Sequence, residues 1–333
     1  DKSASTETGG KAGDSIDLGI GLDGGDAGTL MGSGKSNNIV SSYRTAAEIM
    51  TDPMTVRTNI LAIPGIRDPY ITDHAADLNK DYSMSIYLMD IPNYDESGNR
   101  LFDDSSARPG VVKTSEEFTR RVVDNNFAAT YFPDIFIEDA TNGGRNVKVP
   151  SSVAALGALA FTDSVSYPWF APAGFNRGSL SFVKNVTTRL TTGDRDELYD
   201  SRINPIATFP GGDFVIFGQK TLQVAKSALD RVNVRRMVLE LKRQVISIAD
   251  RLLFEQNNQA TRDRFIALVA PRLALIQSQQ GIESFRIVMD DTNNTEIDKE
   301  NNRLNGKIIF VPTRTIEFIS IDFIITNAGV SFE

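Results

Sequence analysis

Residues 125–139 read NNFAATYFPDIFIED and residues 147–174 read VKVPSSVAALGALAFTDSVSYPWFAPAG. A short aromatic strand, Thr130 to Phe132, meets Pro133, and an apolar strand, Ile135-Phe136-Ile137, follows and is closed by Glu138-Asp139. After the Asn142-Gly143-Gly144 turn, Val149-Pro150-Ser151-Ser152 introduces a run of small residues from Ala154 to Ala160. Pro150 donates no backbone hydrogen bond, so it suits the entry of a helix, with Ser151 or Ser152 as the expected side-chain cap. Small residues let that helix lie close to a neighbouring sheet. Thr162-Asp163 is expected to end it, and Trp169 to Gly174 to form a stiff, Pro-bearing aromatic loop. The stretch carries no catalytic constellation; its chemistry is that of packing.

Outward from this stretch, the N-terminal side has βαβ rhythm. Asn59 to Ile63 is a continuously apolar strand stopped by Pro64-Gly65, Asp68 to Lys80 reads as a helix, and Met84 to Met89 as the next buried strand. That order implies a parallel sheet covered on both faces. A helix is predicted over Asn38 to Thr51, a surface loop over Asn93 to Gly110, and a short helix over Ser115 to Asn125. Asp90 follows a strand, where α/β enzymes keep catalytic groups, but Ile91-Pro92 favours a turn-capping role. His74 beside Asp73 reads as a surface or helix-packing residue, because helical neighbours do not face each other.

On the C-terminal side, Thr191 to Asp200 is acidic and turn-rich, and a second block is expected from Ile203. Ile206–Phe209 and Asp213–Phe217 are candidate strands. Asn233 to Phe254 is the clearest helix, with Val234, Met237, Leu241, Val245, Ile248 and Leu252 on one face and Asn233 as its expected cap. Its wet face is expected to carry Arg235, Arg236, Lys242, Arg243 and Arg251, either solvated or as an interface between subunits. Thr261 to Gln280 forms a second helix, bent at Pro271 and stopped by Gly281, whose expected exposed side carries Arg262, Arg264 and Arg272. Strands are expected at Phe285–Met289, Lys307–Val311 and Thr315–Thr326. The last alternates Ile319, Ile321, Phe323 and Ile325 with Ser320, Asp322 and Thr326; being long and near the terminus, it is expected to pair beyond its own fold.

The fold class is therefore α/β and α+β: a mixed sheet domain with βαβ units, then a C-terminal domain of helices and strands. The expected divisions are a flexible Gly-rich segment over 1–40 (the end of a missing N-terminal region, since the chain starts at Asp1), an α/β domain over 41–202, and an α+β domain over 203–333.

Composition narrows the chemistry. The chain has 333 residues, 41% hydrophobic and 23% charged, with a formal net charge of -8, no Cys and a single His. The acidic balance argues against a general nucleic-acid binder, and the lack of Cys and the single His remove thiolate and most zinc or His-based schemes. No apolar run is long enough to span a bilayer as a helix. Gly32-Ser33-Gly34-Lys35-Ser36 approaches a phosphate-binding loop, but position 29 is Thr, Gly28 is one residue out, and the run leading up to it reads as glycine-rich loop. Asp23 to Asp26 lacks the spacing of a calcium loop, and crowded acids in the Asp290–Asn294 turn bind no metal more often than not. No cofactor is expected.

The order of these pieces resembles the contractile tail sheath proteins of phages and related injection machines. The matching residues are Ala128, Ala129, Tyr131, Phe132, Pro133, Val149, Pro150, Ser152, Thr162, Asp163, Trp169, Ala171, Pro172, Ala173 and Gly174, with Ser151 and Phe170 as departures. Gly218 to Leu222, the Asn233-Val234-Arg235-Arg236 helix and the Phe254–Asn258 turn continue the likeness, which covers roughly residues 45 to 326. It implies a mechanical function. Subunits stack in six-fold helical array around an inner tube, and the sheath shortens to drive that tube through the host envelope. The implied partners are other sheath subunits, the tube protein, the baseplate and a tail terminator. The implied location is the virion tail, assembled in the host cytoplasm. On this reading Arg262, Arg264 and Arg272 are candidate tube contacts, and the strand bearing Ile319, Ile321, Phe323 and Ile325 is a candidate inter-subunit strand. A sheath of a bacterial contractile device, or an α/β hydrolase or nucleotide-binding protein, are the alternatives.

Overall fold

The computed structural model describes residues 37–102, 105–210, 213–290 and 292–317. Residues 1–36 of the Gly-rich segment, the phosphate-loop-like stretch, and Ile319, Ile321, Phe323 and Ile325 of the expected last strand lie outside the described residues; residues 38–40, expected to be part of the flexible segment, are helical.

In order, the elements are α1 (Asn38–Met50), β1 (Ile60–Ala62), α2 (Pro69–Tyr82), β2 (Ile86–Met89), a small hairpin β3 (Asn93–Tyr94) and β4 (Arg100–Leu101), and α3 (Val111–Arg120). Then come β5 (Ala128–Phe132), β6 (Ile135–Asp139), β7 (Arg145–Val149), α4 (Ser151–Val165), α5 (Gly174–Arg177) and β8 (Val183–Val186). The rest comprises α6 (Thr192–Asp200), β9 (Ile203–Thr208), β10 (Phe214–Ile216), α7 (Val232–Ala249), α8 (Gln259–Ser278), β11 (Ile282–Val288), α9 (Glu296–Glu300) and β12 (Lys307–Pro312).

The main sheet has the order β1-β2-β5-β9-β10, parallel through β9 and antiparallel at β10. Alternate residues of its strands feed two cores, as the two-residue period requires. Ile86, Leu88, Ala129 and Tyr131 face Ala154, Ala155, Ala158 and Leu159 of α4 and Val232 and Leu239 of α7. Tyr87, Met89, Ala128 and Phe132 face Ala75 and Ala76 of α2, Phe118 of α3 and Leu198 of α6. Double coverage is why these strands read as continuous apolar runs. β6 pairs antiparallel with both β7 and β8 in a separate three-stranded sheet.

The chain was expected to divide between residues 202 and 203, but the main sheet runs across that point: β9 begins at Ile203 and pairs with β5. The unit that stands apart from the sheet is α7, α8 and the antiparallel hairpin β11–β12, which share a third core of Val234, Met237, Leu241, Phe265, Val269, Leu273, Ile276 and Ile282. Helix α7 contributes to two cores and so joins this unit to the sheet.

Several local expectations are corrected. The stretch expected to be turn-rich is mostly helix α6, Thr192–Asp200, started by a reciprocal capping box between Thr191 and Asp194. Helix α3 occupies 111–120 instead of 115–125. Helix α4 runs past Thr162-Asp163 to Val165. Pro271 lies inside α8, which continues on both sides of it. At the end of α8 the left-handed residue is Gln280, with φ 63°. Gly281 is needed for space instead: a Cβ there would lie 2.6 Å from Ile276 Cγ2 and 3.1 Å from the Trp169 ring. Gly157, in mid-α4, is similar, since its Cβ would lie 2.7 Å from Phe182 Cζ.

Candidate functional site

The carboxyl edge of the parallel strands is where an α/β enzyme would bind substrate. Here it is closed by a buried polar network. Asp90 Oδ2 accepts hydrogen bonds from Gly65 N (3.0 Å) and Ser152 Oγ (2.7 Å), and Oδ1 accepts from Ser152 N (3.0 Å) and Ser151 Oγ (3.3 Å). The expected serine caps therefore do not cap α4 themselves: Pro150 is the N-cap residue and no side-chain capping bond forms there. Asp90 places its carboxyl against the exposed N–H groups of the helix start, a favourable site for negative charge. Beside it, Arg67 Nη2 donates to Asp134 Oδ2 at 2.8 Å, Asn93 Nδ2 donates to the same oxygen at 2.9 Å, and Arg67 Nη1 donates to Ile91 O at 3.2 Å. Burial pushes the Asp90 carboxyl above its usual range, opposed by the Arg67 charge and the Ser152 and Gly65 hydrogen bonds. All of these side chains are buried, so the network pins loops and a helix start rather than meeting a substrate.

The remaining motif residues also serve as internal fasteners. Trp169 Nε1 donates to Gln279 O at 2.9 Å, tying the aromatic loop to the end of α8, and Tyr167 stacks on Trp169 with ring centroids 4.9 Å apart. Tyr131 is buried in the sheet core, the Phe132–Pro133 peptide is cis, and Pro172 and Gly174 lead into α5. Thr162 Oγ1 bonds back to Ala158 O inside α4.

Arg235 and Arg236 correct the expected wet face of α7, being only 5% and 6% exposed. The Arg235 guanidinium lies 3.9 Å from the Phe127 ring centroid, and its Nε donates to Asn126 O at 3.1 Å. Desolvation brings its pKa down to about 10. Arg236 Nη2 donates to both oxygens of Asp163, at 2.7 and 2.5 Å. Lys242 Nζ reaches Ser83 O at 3.2 Å. Asn233 is not the cap of α7; Arg231 holds that position, and Asn233 Nδ2 donates instead to Trp169 O and Thr315 Oγ1, at 3.1 and 3.0 Å. The polar pattern alone gave no sign of these partners, because each is distant in sequence.

Helix α8 divides the three candidate tube contacts. Arg262 is buried, while Arg264 and Arg272 are exposed. Arg264 has Glu255 at 3.8 Å. Leu268 and Leu275, also exposed, fall between and beyond these arginines at helical spacing. The outer stripe is thus mixed cationic and apolar rather than purely basic. Phe254, in the turn before α8, is wholly exposed.

His74 Nε2 lies 3.3 Å from Glu48 Oε1, whereas its neighbour Asp73 pairs with Arg121. Asp90 at the strand end, and not His74, is thus the titratable group drawn into a network. Asp290 is engaged locally, accepting from Thr292 N at 2.9 Å, and no group of three or more His, Cys, Asp or Glu among the described residues could hold a metal ion. No described helix is long and apolar enough to cross a membrane.

No family model matches the chain. Comparison with curated proteins finds the tail sheath protein of Vibrio phage KVP40, 36% identical over 230 residues, which are 69% of this chain and 33% of that protein. The tail sheath protein of Enterobacteria phage T4 is 35% identical over 185 residues, 56% of this chain and 28% of that protein. The chain spans about a third of the length of the curated relatives it matches. Among solved structures, the PVC sheath complex of an extracellular contractile injection system in its contracted state aligns with a TM-score of 0.65 at 20% identity, covering 90% of this chain and 83% of that one. The helical sheath of the anti-feeding prophage in its contracted state aligns with a TM-score of 0.63 at 19% identity, covering 84% and 73%. These two share its fold. The chain, with its closed sheet edge and its internally fastened motif residues, belongs to the contractile tail sheath protein family.

Proposed function

We propose that this chain is the working part of a contractile tail sheath subunit, which polymerises around an inner tube and shortens to drive that tube through a host envelope. The observation that carries this reading is the 36% identity to a phage tail sheath protein over 230 residues. The buried fastening of the sheet edge and of α7 supports it, since a subunit that transmits force needs joints that do not yield. The partners are further copies of the subunit, the tube protein, the baseplate and a tail terminator, and the place of action is the virion tail, assembled in the host cytoplasm.

Two surfaces serve this function. The exposed stripe of α8, with Arg264 and Arg272, faces the tube and meets acidic side chains there. Surface ion pairs worth about 1 kcal/mol or less each suit a contact that must release. The strand bearing Ile319, Ile321, Phe323 and Ile325 adds to the sheet of a neighbouring subunit. Hairpin β11–β12 is a fitting acceptor, because its two strands pair only with each other among the described residues. Such head-to-tail contacts do not close on themselves and propagate into a helical array. The likeness to an extracellular contractile injection system sheath supports a second reading, a bacterial device with the same mechanics.

Negative-stain microscopy of the full gene product, alone and with its tube protein, tests the reading. Striated tubes are expected. A product that stays compact and ignores the tube contradicts it.

A further inference from the structure

We propose that residues 313–317 form a strap that sets where, and in which direction, the chain beyond them leaves the body, and that Glu317 is the lock of this strap. Arg314, Thr315 and Ile316 are exposed, Ile316 by 78%, yet Thr313, Thr315 and Glu317 are each held through a polar atom by a different part of the molecule. Thr313 N donates to Gly281 O at 3.2 Å, just beyond α8. Thr315 Oγ1 accepts from Asn233 Nδ2 at 3.0 Å, and that same amide holds Trp169 O.

Glu317 is held most strongly. Its Oε1 accepts from Arg231 Nε at 2.6 Å and from Gln219 Nε2 at 3.3 Å; its Oε2 accepts from Arg231 Nη2 at 2.9 Å and from Tyr199 OH at 3.1 Å. A planar guanidinium gripping a carboxylate through two nitrogens fixes direction as well as distance. The setting is crowded with charge: Asp230 Oδ2 lies 3.2 Å from Arg231 Nη1, and Lys220 Nζ sits 3.2 Å from the Tyr199 ring centroid. Tyr199 belongs to α6, Gln219 follows β10, and Arg231 precedes α7. One carboxylate therefore ties the end of the hairpin unit to the sheet.

The strap and the approach to α7 line an open pocket of about 580 Å³, with Ala228, Val234, Pro312 and Ile316 in its wall. A segment held by polar contacts beside such a pocket, with little apolar burial of its own, opens locally when its strongest contact is lost. The lock thus governs the exit of residues 318–333 without supporting the core. This proposal rests on the reading that those residues pair with a neighbouring subunit, and the test separates the two.

Trypsin provides that test. Within residues 315–333 there is no Lys or Arg, so cleavage after Arg314 releases that stretch uncut. Cleavage of a transiently opened segment tracks the open population, and loss of a charge-assisted bond should raise release of this peptide by about tenfold or more in Glu317→Gln and Glu317→Ala. Equal rates in the parent chain and both Glu317 variants would overturn the lock. Tube formation by the full gene product is scored separately. Faster release with unaltered tubes overturns the claim that the strap directs the exit. A parent product that forms no tubes contradicts the sheath reading, while the release rates still decide the lock.

Discussion

Helices α7 and α8 each carry arginines that look alike in sequence, and the two sets live in opposite environments. Arg235 and Arg236 are buried against the sheet body, one stacked on Phe127 and bonded to Asn126 O, the other forked onto Asp163. Arg264 and Arg272 stand in solvent on α8, while Arg262 of the same helix is buried. The difference teaches where a charge holds the subunit together and where it is left for something else. Helix α7 contributes to two cores, so its polar side chains are trapped between layers; α8 lies outside, and only its inner face is covered.

The comparison breaks first at Arg235. Truncation to Ala removes a desolvated cation–π contact and a buried hydrogen bond, and is expected to cost about 2–4 kcal/mol, read as a shift in the urea midpoint. Arg236→Ala should cost less, about 1–2 kcal/mol, because Asp163 is 40% exposed and solvent takes up part of its charge. A loss below about 0.5 kcal/mol at both sites would place them with the surface arginines.

The joint between the two regions comes next. Gly281→Ala drives a methyl into Ile276 and the Trp169 ring, with an expected cost of about 1–3 kcal/mol and a change in tryptophan emission. Emission and stability both unchanged would mean that the two units are not tightly joined there.

Asp90 sharpens the picture by pH. Its folded pKa lies above the ordinary carboxylate value, so between those two values the folded chain holds more protons than the unfolded chain. Stability contributed at this site should therefore fall as pH rises through that window. Asp90→Asn, which keeps an acceptor for Ser152 N–H, should flatten that slope at a cost of about 1–3 kcal/mol. An unchanged slope would assign it to another group.

The smallest effect on stability is expected on α8. Arg264→Glu with Arg272→Glu should leave the folded chain within about 0.5 kcal/mol of the parent, yet abolish assembly on the tube. Normal assembly would remove this stripe from the tube contact.

Much of the architecture was legible because it rests on local rules. Burial of β2 along its whole length, Pro150 at the start of α4, and three- and four-residue spacing in α7 all appear as expected. What escaped depends on partners far along the chain. Helix α6 buries only Leu198, so no apolar stripe announced it, although Thr191 and Asp194 supplied the capping signal. Ser151 and Ser152 read as caps, but Asp90 takes their hydroxyls across a gap of sixty-odd residues. Arg235 and Arg236 read as wet for the same reason: Asn126, Phe127 and Asp163 lie in another part of the chain. Sequence likewise placed a boundary at residue 203, where the composition changes but the sheet does not.

Cryo-electron microscopy of the full gene product assembled with its tube tests the central claim most directly. The account predicts a helical sheath in which Arg264 and Arg272 face acidic side chains of the tube, while Arg235 and Arg236 keep their contacts with Asn126, Phe127 and Asp163. A particle with α8 turned away from the tube, or no ordered sheath at all, would contradict it.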